Sequence, residues 1–231
     1  MIKPDNIQVI AFDADDTLWV NEPYFQEVEH KFCELLEDFL PQHNVSQELF
    51  KTEMKNLSMY GYGVKGFILS MIETVLRVTE NKVSPEVIGK VIAYGHELLT
   101  KPIELLEGVD EVLNNLFGRY RLVVATKGDL LDQERKLKLS GLAKYFHHIE
   151  IMSDKQVADY QKLLNHLDCK PENFLMLGNS IKSDIIPVLE IGGYAAHIPY
   201  HTTWTHEKTE LTLHHDKFLQ IDTIKQILPY L

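Results

Sequence analysis

Five short, nearly unbroken apolar runs constrain this chain more than any other feature. They stand at residues 7–12, 122–125, 149–152, 174–177 and 194–198. The first holds Ile7, Val9, Ile10, Ala11 and Phe12. A run that is apolar on both faces suits a strand buried between two layers. Helical patterns alternate with the later runs. Residues 129–139 carry Leu130, Leu131, Glu134 and Leu137 and stop at Gly141; residues 155–167 carry Val157, Tyr160, Leu163, Leu164 and Leu167. That spacing gives each helix an apolar stripe. Strands alternating with such helices predict an α/β fold around a parallel sheet.

Residues 21–102 break the alternation and read as helix after helix. Phe25, Val28, Phe32, Leu35, Leu36 and Phe39 share one face between Pro23 and Pro41, and Phe67, Ile68, Met71, Ile72, Val75 and Leu76 share another. Ser84-Pro85-Glu86 predicts a further start, with Ser84 capping free amides and Pro85 in the first turn. Lys101-Pro102 ends it, and the chain returns through Gly108. The expected layout is a core domain of residues 1–20 and 103–231, interrupted by a helical domain of residues 21–102.

Composition excludes several function classes. The 231 residues carry 34 acidic and 23 basic side chains, a formal charge of −11. Nucleic acid and anionic membranes both require a basic face, so neither is expected as a partner. No apolar run approaches the ~18–20 residues of a membrane span. The first residues lack the apolar stretch of a secretory signal. Cys33 and Cys169 stand far apart and in no CxxC pair, which argues against a disulfide framework or a cysteine zinc site. A soluble cytoplasmic protein is expected.

The first strand ends in Asp13-Ala14-Asp15-Asp16-Thr17. Three carboxylates so close repel one another and require compensation. Open parallel sheets place ligands beyond the carboxyl ends of their strands, where these acids sit. A divalent cation is their natural partner. The other strand ends are polar too: Thr126-Lys127-Gly128-Asp129, Ser153-Asp154-Lys155, and Asn179-Ser180-Ile181-Lys182-Ser183-Asp184. The free amides at the helix start after Thr126 favour an anion. Each signal alone is an ordinary cap or a solvated side chain. Together they place acid, hydroxyl and ammonium around one crevice.

This constellation resembles the haloacid dehalogenase superfamily over nearly the whole chain. The superfamily's DxDxT reads Asp13-Ala14-Asp15-Asp16-Thr17 here, its Ser/Thr after the second strand Thr126, its lysine Lys155, and its final acidic pair Asn179 with Asp184. The resemblance implies a Rossmann-like sheet of order 5-4-1-2-3 and a helical cap between the first and second motifs. It also implies a Mg²⁺-dependent phosphatase. Asp13 would be the nucleophile, forming an aspartyl-phosphate, and Asp15 the general acid and then base. Asp15 would need a pKa raised above its ordinary value for that task. Thr126 would donate to the phosphoryl group, and Lys155 would offset the charge of nucleophile and phosphate. The implied metal ligands are the Asp13 side chain, the Asp15 carbonyl and Asp184. Dehalogenases that resemble this chain lack an acid at the position of Asp15, because halide leaves without a proton.

Two residues depart from the family pattern. Asn179 stands where aspartate is common, and its amide oxygen is a candidate ligand for the ion or for a bound water. Lys127 stands where asparagine is frequent; its ammonium either helps to hold phosphate or points to solvent. Three other readings stay open: a phosphomutase with the same residues, a 2-haloacid dehalogenase, and a non-catalytic phosphate-binding protein. The expected partner is a small phosphorylated metabolite.

Two further signals are read as structural. Gly61-Tyr62-Gly63-Val64-Lys65-Gly66 matches G-x-G-x-x-G literally, but a dinucleotide site needs a strand before it. A turn between helices is expected, either plain or, through Tyr60, Tyr62 and Lys65, selective for substrate. The tail with His201, Trp204, His206, His214 and His215 reads as a loop over the sheet edge, and His147-His148 as a strand-edge pair that packs or caps.

Overall fold

The computed structural model describes residues 6–209, 211 and 213–231. One six-stranded sheet contains β1 (Val9–Phe12), β2 (Arg121–Lys127), β3 (His148–Met152), β4 (Phe174–Gly178), β5 (Tyr194–His197) and β6 (Phe218–Gln220). Their order is β3-β2-β1-β4-β5-β6, and every pairing is parallel. The first five strands follow the expected order read from the other edge. β6 is an addition: three residues of the polar tail, read above as loop, pair with β5.

Eight α-helices join or flank these strands among the described residues. They are α1 (Glu22–Leu35), α2 (Gln42–Tyr60), α3 (Val64–Val78), α4 (Pro85–Thr100), α5 (Val109–Leu116), α6 (Leu130–Leu139), α7 (Val157–His166) and α8 (Ile186–Glu190). A wide turn of π type, Ile181–Ile185, leads directly into α8. No described helix is long and apolar enough to cross a membrane.

The central strands β1, β2 and β4 bury both faces, as their apolar runs require, whereas the edge strands β3 and β6 are partly exposed. Alternate residues of a strand face opposite sides. Ile10 and Phe12 join Val124, Leu177 and the α5 residues Val112, Leu113 and Leu116 on one side. Val9 and Ala11 join Val123, Met176 and the α7 residues Tyr160, Leu163 and Leu164 on the other. Phe12 pairs in register with Val124 on β2 and Leu177 on β4, which levels the carboxyl ends of three strands.

Backbone contacts divide the chain into two compact units. One contains the residues up to Glu22, Ile103–Lys127 and Gln133–Leu231; the other contains Pro23–Pro102 and Gly128–Asp132. The second unit has its own core, with Val28, Phe32, Leu49, Met71, Val75 and Val91 among its buried residues. Two local expectations are corrected there. Helix α1 ends at Leu35, so Phe39 lies outside it and is exposed. Ser84 occupies the N-cap position of α4, but its side chain bonds no helix amide. The glycine-rich segment is the α2–α3 turn and follows a helix, not a strand. Gly61 (φ 71°) and Gly63 (φ 106°) supply backbone angles that side chains disfavour. Tyr60 donates to Glu73 at 2.6 Å and Lys65 pairs with Asp129 at 2.9 Å, both within this unit.

Candidate active site

The strand ends bring three of the sequence-derived residues into direct contact. Asp13 follows β1, its amide donating to the Leu177 carbonyl of β4 at 2.8 Å. Lys155 follows β3 and reaches inward until only 1% of its side chain is exposed. Its Nζ donates to Asp13 and, at 2.6 Å, to Asp184. Asp184 lies in the wide turn after β4, and its second oxygen accepts the Ser180 amide at 3.0 Å. A Cβ on Gly178 would fall inside the Asp184 carboxylate, so only glycine permits this approach. Thr17 donates to the free Asp13 oxygen at 3.2 Å and faces the Asn179 side-chain oxygen at 3.5 Å.

Charge is unbalanced within this cluster. Burial pushes the Asp13 carboxyl up to about 7; the Lys155 charge opposes that shift, and Asp184 adds to it. Burial lowers the Lys155 pKa, but Asp13 and Asp184 outweigh it, so the group stays an ammonium. One ammonium between two buried carboxylates leaves a net negative charge in a low dielectric. An oxygen-only donor set with surplus negative charge fits a hard cation such as Mg²⁺. The side-chain oxygens brought together are those of Asp13 and Asp184, with the Asn179 amide oxygen beside Thr17.

Asp15 is held away from that trio by three donors. The Trp19 indole reaches it at 2.7 Å, Gln133 at 2.8 Å and the Lys136 ammonium at 2.9 Å. Gln133 also donates to the Lys127 carbonyl at 2.8 Å, which links the first and second motifs. Gln133 and Lys136 were not found from sequence. They stand three apart on one face of α6, and that spacing alone names no partner.

The third carboxylate has a structural task. Asp16 adopts a left-handed conformation (φ 61°) and accepts the amides of Asn21 and Glu22 at 2.9 Å each, where α1 begins. Burial pushes its carboxyl up to about 7 against the pull of those amides. The folded state therefore favours the protonated form. That contribution is complete below the ordinary value of 3.8 and is lost as pH rises towards 7. Asp16→Asn keeps an acceptor but cannot ionise. In urea titrations it is expected to lose less stability than wild type between about pH 4 and pH 7. Parallel pH profiles would show that Asp16 does not carry the effect.

Thr126 and Lys127 end β2. The Thr126 hydroxyl is buried and donates to the Lys127 carbonyl at 3.2 Å. The Lys127 side chain is 14% exposed, so it does not point to solvent. Its ammonium meets Glu207 at 2.5 Å and Ser183 at 2.9 Å. Glu207 also receives the hydroxyls of Ser180 and Ser183. Burial opposes ionisation of Glu207, but Lys127 and the two serines hold its carboxyl down at about 2. Sequence reading missed Glu207 because it sits in the polar tail, with no periodic pattern to place it.

The family profile of the haloacid dehalogenase-like hydrolases matches residues 7–192. The chain belongs to that family. Among solved structures, a haloacid dehalogenase-like family hydrolase from Xanthomonas campestris is 36% identical with a TM-score of 0.84, covering 94% of this chain and 87% of that one. A predicted phosphoglycolate phosphatase from Haemophilus somnus is 18% identical with a TM-score of 0.65, covering 96% and 97%. A 2-haloacid dehalogenase from Pseudomonas syringae is 16% identical with a TM-score of 0.62, covering 97% of each chain. The last two share the fold. No curated protein matches the chain at a significant level. Membership makes the chain a haloacid dehalogenase-like hydrolase, and its residues must decide which bond it cleaves.

Proposed function

We infer that this hydrolase is a Mg²⁺-dependent phosphatase acting on a small phosphate monoester through an aspartyl-phosphate. The observation that carries the reading is a carboxylate, Asp15, two residues beyond the Lys155-bound Asp13. A halide leaves without a proton, whereas an alkoxide leaving group requires one.

Asp13 attacks phosphorus, and the bond to the ester oxygen breaks as Asp15 protonates it. Asp15 then takes a proton from the water that attacks phosphorus, which frees Asp13 and inorganic phosphate. Proton transfer requires Asp15 to exchange its bonds to Trp19, Gln133 and Lys136. Lys155 offsets the charge gathered on Asp13 and the phosphoryl oxygens, and Thr126 turns its hydroxyl from the Lys127 carbonyl to one of them. Lys127 joins phosphate binding only if its pair with Glu207 opens. Held by Asp13, Asp184, the Asp15 carbonyl and, directly or through water, Asn179, Mg²⁺ supplies charge that lets a carboxylate approach a phosphate dianion.

Residues 21–102 are read as the cap domain. A domain of that size suits a small phosphorylated metabolite and excludes macromolecules and bulk water. The acidic balance and two free, buried cysteines accord with the cytoplasm.

The test is release of p-nitrophenol from p-nitrophenyl phosphate, with Mg²⁺ and with EDTA, beside release of chloride from 2-chloropropionate. Mg²⁺-dependent release of p-nitrophenol without chloride is expected. Chloride release, or turnover indifferent to EDTA, would overturn the reading. Asp15→Asn is expected to lower turnover of an alkyl phosphate by about 10²–10⁴-fold. The loss in formation of the phosphoenzyme from p-nitrophenyl phosphate should be smaller, because p-nitrophenolate leaves unprotonated. Equal losses for the two esters would remove Asp15 from the proton-transfer role.

A further inference from the structure

The edge strand β3 carries His148 and Glu150 two residues apart, so both face the same side of the sheet. Met152, two residues further on, is buried among the α7 side chains, which fixes that side as the one α7 covers. His166 lies in the last turn of α7. Nε2 of His148 is 2.7 Å from a Glu150 carboxylate oxygen, and Nδ1 of His166 is 3.6 Å from the same oxygen. The two imidazoles meet edge to face with centroids 4.7 Å apart. The three ligand atoms lie within 4.8 Å of one another.

Two imidazoles and a carboxylate are a zinc donor set. Bonds of about 2.0–2.1 Å to a tetrahedral ion space its ligands about 3.3 Å apart. The separations of 2.7 and 3.6 Å bracket that spacing and the third is within 4.8 Å, so the ion fits once the side chains shift to even them out. The His166 side chain is 65% exposed, leaving a path from solvent and a position for water as fourth ligand. The backbones are set by a paired strand and a packed helix, so ordering the ligands requires little rearrangement. The cluster is also remote from the proposed chemistry. His148 opens β3, whereas Lys155 follows its last residue, so the cluster lies toward the amino end of a sheet whose carboxyl ends carry Asp13 and Lys155.

We propose that His148, Glu150 and His166 form a second cation site, selective for a borderline divalent ion of the zinc class over Mg²⁺. Imidazole ligands suit Zn²⁺, Co²⁺ and Ni²⁺, while Mg²⁺ requires oxygen. The bound ion ties the end of α7 to the open edge of the sheet. It would therefore stabilise the folded state by mass action.

Calorimetric titration with ZnCl₂ tests this on the full chain at neutral pH, with excess MgCl₂ to compete at the strand ends. Wild type is expected to take up about one equivalent, with affinity reduced at least about tenfold in both His166→Ala and Glu150→Gln. The visible spectrum of the Co²⁺ form should change in step. Both substitutions are partly or largely exposed, and unchanged melting temperatures without metal would confirm folding. Equal binding by wild type and both variants would overturn the proposal by placing the ion elsewhere, for example on the tail histidines. No binding would also overturn it, leaving a hydrogen-bonded His148–Glu150 pair only.

Discussion

Asp13→Asn is expected to lower Mg²⁺-dependent release of p-nitrophenol by about 10⁴-fold or more. An amide cannot attack phosphorus, and the two neighbouring carboxylates are held by other partners in the folded chain. Asp15 is turned toward Trp19, Gln133 and Lys136, and Asp184 accepts Lys155 and the Ser180 amide. Asparagine retains the shape of the side chain, and Lys155 still has Asp184, so the variant should fold. A melting curve tests that, and a mass spectrum excludes deamidation back to aspartate. Brief exposure to phosphate-labelled substrate should leave label on wild type and none on the variant. Turnover surviving in folded, intact Asp13→Asn would reject the nucleophile and the mechanism built on it.

Lys155→Met should lower both stability and turnover. Removing one partner of a buried ion pair typically loses about 3–5 kcal/mol, because the remaining charge is left unpaired. Here two carboxylates, Asp13 and Asp184, would be left facing each other where Lys155 now bridges them. The Asp184 charge already raises the Asp13 pKa, and without Lys155 nothing would oppose that shift. The folded variant would then bind protons that the unfolded chain releases, so its deficit should grow as pH rises above the ordinary carboxylate range. Mg²⁺ should reverse part of the loss, since a cation bound only by the folded state stabilises it by mass action. Urea unfolding at two pH values, with and without MgCl₂, measures all three effects. Unchanged stability would mean that Lys155 does not neutralise the pair. A deficit indifferent to Mg²⁺ would count against a cation site at these carboxylates.

The legible part of this protein was its local pattern. Val9 to Phe12 read as a buried strand because all four side chains are apolar, and all four are fully buried. The acids after it could be placed at a strand's carboxyl end by counting. Less legible was the tail, where Phe218–Gln220 forms β6 by pairing its backbone with β5. Backbone pairing at a sheet edge leaves little mark on side-chain pattern, so three residues amid polar neighbours read as loop. The same limit applies to Glu207. It is one acidic residue among polar ones until the tail passes beside Ser180, Ser183 and Lys127.

Short-range rules therefore encode the fold class and the placement of the motifs. The alternation of apolar runs with helical stripes specifies a parallel α/β sheet, and the order of the acidic, hydroxyl and lysine motifs places their residues at its strand ends. Which of these side chains meet depends on long-range packing. Lys155 bridges Asp13 and Asp184, Lys136 and Gln133 hold Asp15, and His148 comes to face His166 across Glu150. Each of those pairs depends on strand register and on the rotation of a helix about its axis. Both are set by packing summed over the two faces of the sheet, and no single residue or spacing records them.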